Sequence, residues 1–264
     1  VYSIDNNFTA DINNRVSDAR VEYVYGDTSE ISTLMNDKQV DTVYHLAEYS
    51  RIVPSFEDID LIHRLNVVGT FKVLRFCIDR KCKLIYAASS SKFGDSDNQN
   101  LSPYAWIKAK NTELIKNFGK WYDLDYSISY FYNVYGDNQI LDGKYSAVIG
   151  RFMRQFLEGK ELTVVYPGTQ SRDFTCVSDI VDGLILLINK GSGKEFQFGT
   201  GKNYSLIQIA EAFDHPYIIV DERRGERFTG KAVRDSSIDE IGWRAKIDVL
   251  DYIREFVKTV RQEL

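Results

Sequence analysis

The chain has 264 residues, 44% of them hydrophobic, and a formal net charge of 33 − 38 = −5. That length and apolar content suit one large or two modest domains with a sizeable core and exclude a disordered segment, while the acidic balance argues against nucleic acid as the main partner. No apolar run reaches the roughly 18 residues of a membrane span, no signal-peptide pattern opens the chain, and Cys77, Cys82 and Cys176 lack the spacing of a disulfide scaffold or zinc site, so no metal is expected and free thiols point to a reducing, cytoplasmic compartment.

In chain order, Val1 to Asn7 reads as a strand ending near Asp5, and Val21 to Tyr25 as a second strand running into Gly26-Asp27-Thr28. Ile31, Leu34 and Met35 mark a short helical face, and Val40 to Ala47 a buried strand containing His45. Ile62 to Arg80 is a long helix with Val67, Phe71, Leu74 and Ile78 at helical spacing. A strand follows at 84–88, a second long helix at 104–121 and a strand at 126–131. Strands alternating with helices predict βαβ units and a doubly wound parallel sheet of Rossmann type. Ligands on such sheets bind outside the carboxyl ends of the strands, where Asp5, Asp27, His45, Ser89 and Asn133 fall.

After Gly136 the alternation weakens. Helices are expected at 145–157, at 179–189 with Ser178 as its cap, at 206–213 with Ser205 as its cap, and at 249–260. Short strands are expected at 162–166, 196–199 and 217–220, with a turn at Pro167-Gly168. The expected division is a nucleotide-binding Rossmann-like domain over 1–135, with 170–190 packing back onto it, and a smaller mixed α/β lobe over 136–264.

One stretch carries chemistry. The strand Lys83 to Ala87 runs into Ala88-Ser89-Ser90-Ser91-Lys92-Phe93-Gly94, and Ser102-Pro103-Tyr104-Ala105-Trp106-Ile107-Lys108 opens a helix. Tyr104 and Lys108 are one turn apart on one face. A phenol beside an ammonium gives up its proton more readily, which makes a base able to act on an alcohol. Spacing alone also fits an ordinary exposed helix contact.

With these motifs, the chain resembles the extended short-chain dehydrogenase/reductases, in particular the NAD-dependent nucleotide-sugar epimerases and dehydratases. The resemblance rests on His45-Leu46-Ala47, Asn66-x-x-Gly69-Thr70, Ser89 five before Gly94, Tyr104-x-x-x-Lys108, Asn133-Val134-Tyr135-Gly136 and Arg172-Asp173-Phe174, which follow the family's order along nearly the whole chain. It implies a catalytic set of Ser89, Tyr104 and Lys108. It implies NAD contacts from Asp5 on the adenosine ribose, Asp27 and Thr28 beside the adenine, Ala47 near the phosphates, and Tyr104 and Lys108 at the nicotinamide end. Substrate contacts would come from Ser90, from Asn133 and Arg172 on a nucleotide-sugar diphosphate, and from Arg223 and Glu226, where Arg223-Arg224-Gly225-Glu226 resembles the family's Arg-Pro-Gly-Asp. Arginine suits that place because its fork makes two charge-assisted bonds to phosphate; a solvated charged loop is the other reading of Arg223 and Glu226. His45 is expected in the core, and Asn66 is expected to tie backbones together. The resemblance also implies a homodimer through the two long helices.

Departures from the family are informative. Its Gly-x-x-Gly-x-x-Gly loop is absent from these residues and is expected about 20 residues before Asp5, so the first strand and its glycine loop are missing from the chain as read. The link between Ser89 and Tyr104 and the segment near Val233-Arg234-Asp235-Ser236 are shorter than the family's. Lys92 replaces a small or apolar residue and either nears the substrate or points to solvent. Where dehydratases of the family carry carboxylates after the strand, this chain has Ser90 and Ser91. The expected reaction is therefore 4-epimerisation of a nucleotide sugar, with UDP-hexose the expected substrate, through a 4-keto intermediate with NAD regenerated. A dehydratase, decarboxylase or reductase of the same family is the alternative, and a non-catalytic nucleotide-sugar-binding protein a third reading.

Overall fold

The computed structural model describes residues 1–9, 12–93, 100–224 and 236–263. The expectations at Gly94, at Glu226 and at Val233-Arg234-Asp235 lie outside the described residues. In chain order the elements are β1 (Tyr2–Asp5), β2 (Glu22–Tyr25), α1 (Ile31–Leu34), β3 (Thr42–His45), α2 (Ile59–Ile62), α3 (Gly69–Arg80), β4 (Lys83–Ser89), α4 (Pro103–Tyr122) and β5 (Tyr126–Phe131). There follow α5 (Val148–Leu157), β6 (Leu162–Val165), β7 (Ser171–Arg172), α6 (Val177–Leu186), β8 (Lys194–Phe198), β9 (Tyr204–Ser205), α7 (Leu206–Glu211), β10 (Tyr217–Val220), α8 (Ser236–Glu240) and α9 (Val249–Glu263).

The fold is a Rossmann-type α/β arrangement around a parallel sheet of order β3-β4-β5-β8. Side chains alternate across a strand, and β4 shows why this sheet is covered on both faces. Leu84, Tyr86 and Ala88 pack with Val73, Leu74 and Cys77 of α3 and Ile115 and Phe118 of α4. Ile85, on the opposite face, packs with Ile180 and Leu184 of α6, Phe196 and Phe198 of β8, and Trp243. Strand β4 is buried on both faces, which explains its unbroken apolar run. The expected smaller lobe thus loses one strand: β8 joins the main sheet because its Phe196 and Phe198 are fully buried under α6 and Trp243. What remains of that lobe is a separate core of α5, β6, α7 and α9, with parallel β6–β10 and antiparallel β7–β9 pairs.

Strands β1 and β2 form a parallel pair of their own, with no ladder to β3. Beside that break, Tyr44 of β3 and Leu46 just beyond it are exposed. So are Val177, Val181, Ile185 and Ile188, on and just after α6, at one-turn spacing.

Several helix ends follow local chemistry. Ser102 caps α4, accepting from the Ala105 N–H at 3.1 Å with Pro103 at the first helical position. Ser205 caps α7 in a reciprocal pair with Gln208. Two expectations are corrected. Helix α6 starts at Val177 because Cys176 is the extended residue before it, and Ser178 instead meets the Cys176 Sγ at 3.2 Å. Helix α5 starts at Val148, because Tyr145 is held outside it by its ring contact with Tyr49 and its hydroxyl bond to Asp58. The long helix before β4 runs from Ile59, with a π-helical stretch at His63–Val68.

Candidate active site

Strand ends line one open cleft of about 230 Å³ with Asp5, Gly26, Thr28, Ala47, Glu48 and Arg51 among its residues, whereas Ser89, Tyr104, Lys108, Asn133 and Arg172 are not part of that lining. Asp5 ends β1 and accepts from the Asn7 N–H at 2.7 Å, a strand-end turn. Asp27 caps the turn after β2, accepting from the Ser29 N–H and hydroxyl at 3.0 Å, and takes the Arg64 guanidinium at 2.6 Å. Burial opposes its ionisation, but Ser29 and Arg64 outweigh it and hold the carboxyl below its ordinary range. The buried Thr28 hydroxyl has no hydrogen-bond partner among the described residues, and its oxygen lies against Gly69, where an added Cβ would collide with it. Ala47 is exposed at the end of β3.

Ser89 closes β4. Its hydroxyl accepts from the Ser91 N–H at 3.2 Å and so caps a tight turn over Ser90–Lys92. Ser90 and Ser91 are both buried, and the Ser91 hydroxyl has no hydrogen-bond partner among the described residues. Lys92 is explained without a ligand: its ammonium donates to the Tyr130 hydroxyl at 2.9 Å and lies 3.6 Å from Glu195. Tyr104, in the first turn of α4, packs with Tyr49, Ile62, Leu65 and Ile107 and is 7% exposed. Its backbone N–H faces the Ser55 hydroxyl at 3.4 Å.

The spacing that suggested a tyrosine–lysine pair does not reveal where the ammonium is held. Lys108 is buried, donates to the Ala87 carbonyl at 2.5 Å and is ion-paired with Glu48. Glu48, with its side chain 2% exposed, also accepts from the Tyr86 hydroxyl at 2.9 Å, from Asn111 at 2.9 Å and from Thr70. Burial opposes charge on Glu48, but Lys108, His45 and these donors prevail and keep its carboxyl below the ordinary value. His45 sits 3.7 Å from Glu48 and 2.8 Å from the Thr70 hydroxyl. Burial pushes its imidazole down to about 4, so it is neutral at physiological pH, a packed residue as expected.

Asn66 does the expected backbone work. Its side-chain amide accepts from the Tyr49 N–H at 2.7 Å and donates to the Tyr49 carbonyl at 2.9 Å, copying a peptide pair and fixing the loop that carries Glu48. Arg51 follows on the same loop. It donates to the Tyr145 and Ser50 carbonyls, has no carboxylate partner among the described residues, and burial lowers its guanidinium from the usual value.

Across the cleft, Asn133 donates to the Asp173 carbonyl at 2.7 Å, which sets it against the Arg172–Asp173 backbone. Arg172 is buried and donates to the Ser171 carbonyl at 2.9 Å. Arg223 is partly buried; beside it the Arg224 guanidinium stacks 4.0 Å over the Phe56 ring, bringing this loop onto the one that bears Ser55. Sequence reasoning missed Glu48, Arg51, Thr70 and Asn111. The one signal for Glu48 was a carboxylate placed directly after a buried strand's end, where a charge needs a partner.

The model of the NAD dependent epimerase/dehydratase family matches residues 1–199. A putative UDP-glucose 4-epimerase of Methanocaldococcus jannaschii is 26% identical over 99% of this chain and 90% of its own length. UDP-glucuronic acid decarboxylase 3 of Arabidopsis thaliana is 28% identical over 78% of this chain and 64% of its own length. In fold, the chain is similar to a UDP-glucose 4-epimerase of Thermotoga maritima solved with UDP-glucose, at a TM-score of 0.91 and 20% identity over 99% of this chain and 91% of that one. The chain belongs to the NAD-dependent epimerase/dehydratase family.

Proposed function

We propose that the protein epimerises a nucleotide sugar at C4, with a UDP-hexose as substrate. The observation that carries this is the turn after β4. It offers the hydroxyls of Ser89, Ser90 and Ser91 where elimination would need carboxylates, and a serine hydroxyl does not ionise at neutral pH. The orphaned Thr28 hydroxyl, the strand-end carboxylates and the uncompensated Arg51 cation suit the cleft to NAD. Asp5, Asp27, Thr28 and Ala47 would hold its adenosine side, and Tyr104 and Lys108 its nicotinamide ribose. Bound there, NAD supplies reversible hydride acceptance.

This chain's residues supply the rest. Tyr104 takes the proton of the sugar 4-hydroxyl and later returns it. Ser89 hydrogen-bonds the same oxygen and orients it. Asn133, Arg172 and Arg223 would hold the nucleotide diphosphate, and Glu226 the ribose of the nucleotide. Because Tyr104 and Ser89 would serve both the removal and the return of that proton, the same residues would support inversion at C4 with NAD regenerated.

Full-length protein with NAD should interconvert UDP-glucose and UDP-galactose, or their N-acetyl or uronic counterparts, without net NADH absorbance. No conversion of any of these pairs would sink the reading. Tyr104→Phe should lower turnover by roughly 10²–10⁴-fold with an unchanged circular dichroism spectrum, and retained turnover would remove Tyr104 from the mechanism.

The protein is also proposed to act as a cytoplasmic homodimer. Val68 and Phe71 near and on α3, and Trp106, Trp121 and Tyr122 of α4, are exposed, with Phe118 bridging Phe71 to the last two. The cysteines are free thiols, as a reducing compartment favours.

A further inference from the structure

We propose that Asp58 is a positioning residue that clasps the second lobe to the first: its carboxylate holds the loop of Lys144 and Tyr145 so that the Tyr145 ring stands as a wall of the open cleft, a proposal that rests, for the ligand alone, on the reading of that cleft as the NAD site. Asp58 opens α2, where a carboxylate ordinarily accepts from the helix's own N–H groups, yet its side chain makes no such bond. Its Oδ2 instead takes three donors from elsewhere: the Tyr49 hydroxyl at 2.8 Å, the Lys144 ammonium at 2.9 Å and the Tyr145 hydroxyl at 3.2 Å. Lys144 also reaches Oδ1 at 3.0 Å. Tyr49 lies on the loop after β3, while Lys144 and Tyr145 follow Asp58 by 86 and 87 residues and precede α5. Lys144, and then Tyr49, hold the Asp58 carboxyl below its ordinary range, so it meets these donors as an anion.

A second grip works on the backbone of the same loop, where Arg51 donates to the Tyr145 carbonyl. The Tyr145 ring makes edge contacts with Tyr49 and Phe8, with centroids 5.8 and 5.4 Å away, and packs on the cluster of Tyr49, Ile62, Leu65 and Tyr104. Ile140 and Tyr145 are the second lobe's share of the cleft wall, opposite the strand-end residues Asp5 and Thr28 of the first. The magnitudes say which bonds matter. The Lys144 side chain is 49% exposed, so solvent screens its ion pair and leaves it weak. The phenol-to-carboxylate bonds are charge-assisted, on an Asp58 side chain only 18% exposed, and are the stronger part. The two hydroxyls, rather than the ammonium, should therefore carry the clasp.

The test measures deuterium exchange of the full-length protein without ligand, and NAD binding by isothermal titration calorimetry. The reporter is the Ser146 amide, bonded to the Gly143 carbonyl at 3.2 Å within the clasped loop. In Asp58→Ala this amide should exchange about tenfold faster and the NAD dissociation constant should rise about tenfold, with the β4 amides as protected as before. Lys144→Ala should change both by less than about twofold. Tyr145→Phe keeps the ring, drops one bond and should move both the same way by less; it carries the test if Asp58→Ala does not fold. Unchanged Ser146 exchange, faster exchange with unchanged NAD affinity, loss of protection in β4 as well, or a Lys144→Ala effect as large as that of Asp58→Ala overturns the proposal. Wild-type protein that binds no NAD would sink the reading of the cleft, while Ser146 exchange still decides the clasp. Neither measurement needs sugar turnover, so failure of epimerisation is read separately.

Discussion

Two regions bury carboxylates with almost no exposed surface and satisfy them in opposite ways. At the end of β3, Glu48 is answered by an ammonium, with Thr70, Tyr86 and Asn111 completing its shell. At the junction of the second lobe, Asp173 and Asp179 accept from backbone N–H groups. Asp173 accepts from the Thr200 N–H at 2.9 Å and hydroxyl at 2.7 Å and from the Gly201 N–H at 2.8 Å. Asp179 accepts from the Lys246 and Ile247 N–H groups at 3.0 and 3.1 Å. Backbone donors cannot titrate or swing away, so the two aspartates act as joints that fasten loops to the sheet. A charge answered by another charge can be rebalanced, and that kind of pairing lies beside the candidate base.

The sharpest test of this contrast is truncation. Glu48→Ala leaves the buried Lys108 ammonium without its counter-charge and should destabilise the protein by about 3–5 kcal/mol in urea unfolding. A cost no larger than that of Asp179→Ala would erase the distinction. A smaller effect comes from pH. His45 titrates near 6.5 when unfolded and at about 4 when folded. Between those values the unfolded chain binds more protons, so stability rises with pH and is lost on acidification from 6.5 toward 4. The loss from this one group approaches about 3 kcal/mol. Thermal unfolding across that window should show a flatter slope in His45→Gln, and an unaltered slope would remove His45 as its source. The smallest change is expected at the joint. Asp179→Ala strands two backbone donors and should cost about 1–3 kcal/mol in urea unfolding.

Much of the architecture was legible because it follows from periodicity and local capping. The helical spacing before β4, the Ser205–Gln208 box and the unbroken apolar run of β4 each report a local cause. What stayed hidden depended on contacts between distant residues. That β8 belongs to the main sheet is decided by Phe196 and Phe198 meeting α6 and Trp243, and no window around β8 contains that fact. Tyr145 looks helical by pattern, yet Asp58, 87 residues earlier, and the still more distant Tyr49 hold it out of α5.

The site shows the same division. Tyr104, Lys108 and Ser89 could be named from spacing and resemblance. The partner of Lys108 could not be named, because Glu48 precedes it by sixty residues and only the fold makes them neighbours. Lys92 is the converse case. Its position in the motif invited a ligand, and the structure spends it on Tyr130 and Glu195.

The amide of Asn66 has a consequence for how the cleft can move. Both of its polar ends are spent on the Tyr49 backbone, so the loop after β3 cannot shift without dragging the π-helical stretch His63–Val68 with it. The Tyr49 amide should therefore exchange slowly with deuterium, and quickly in Asn66→Ala.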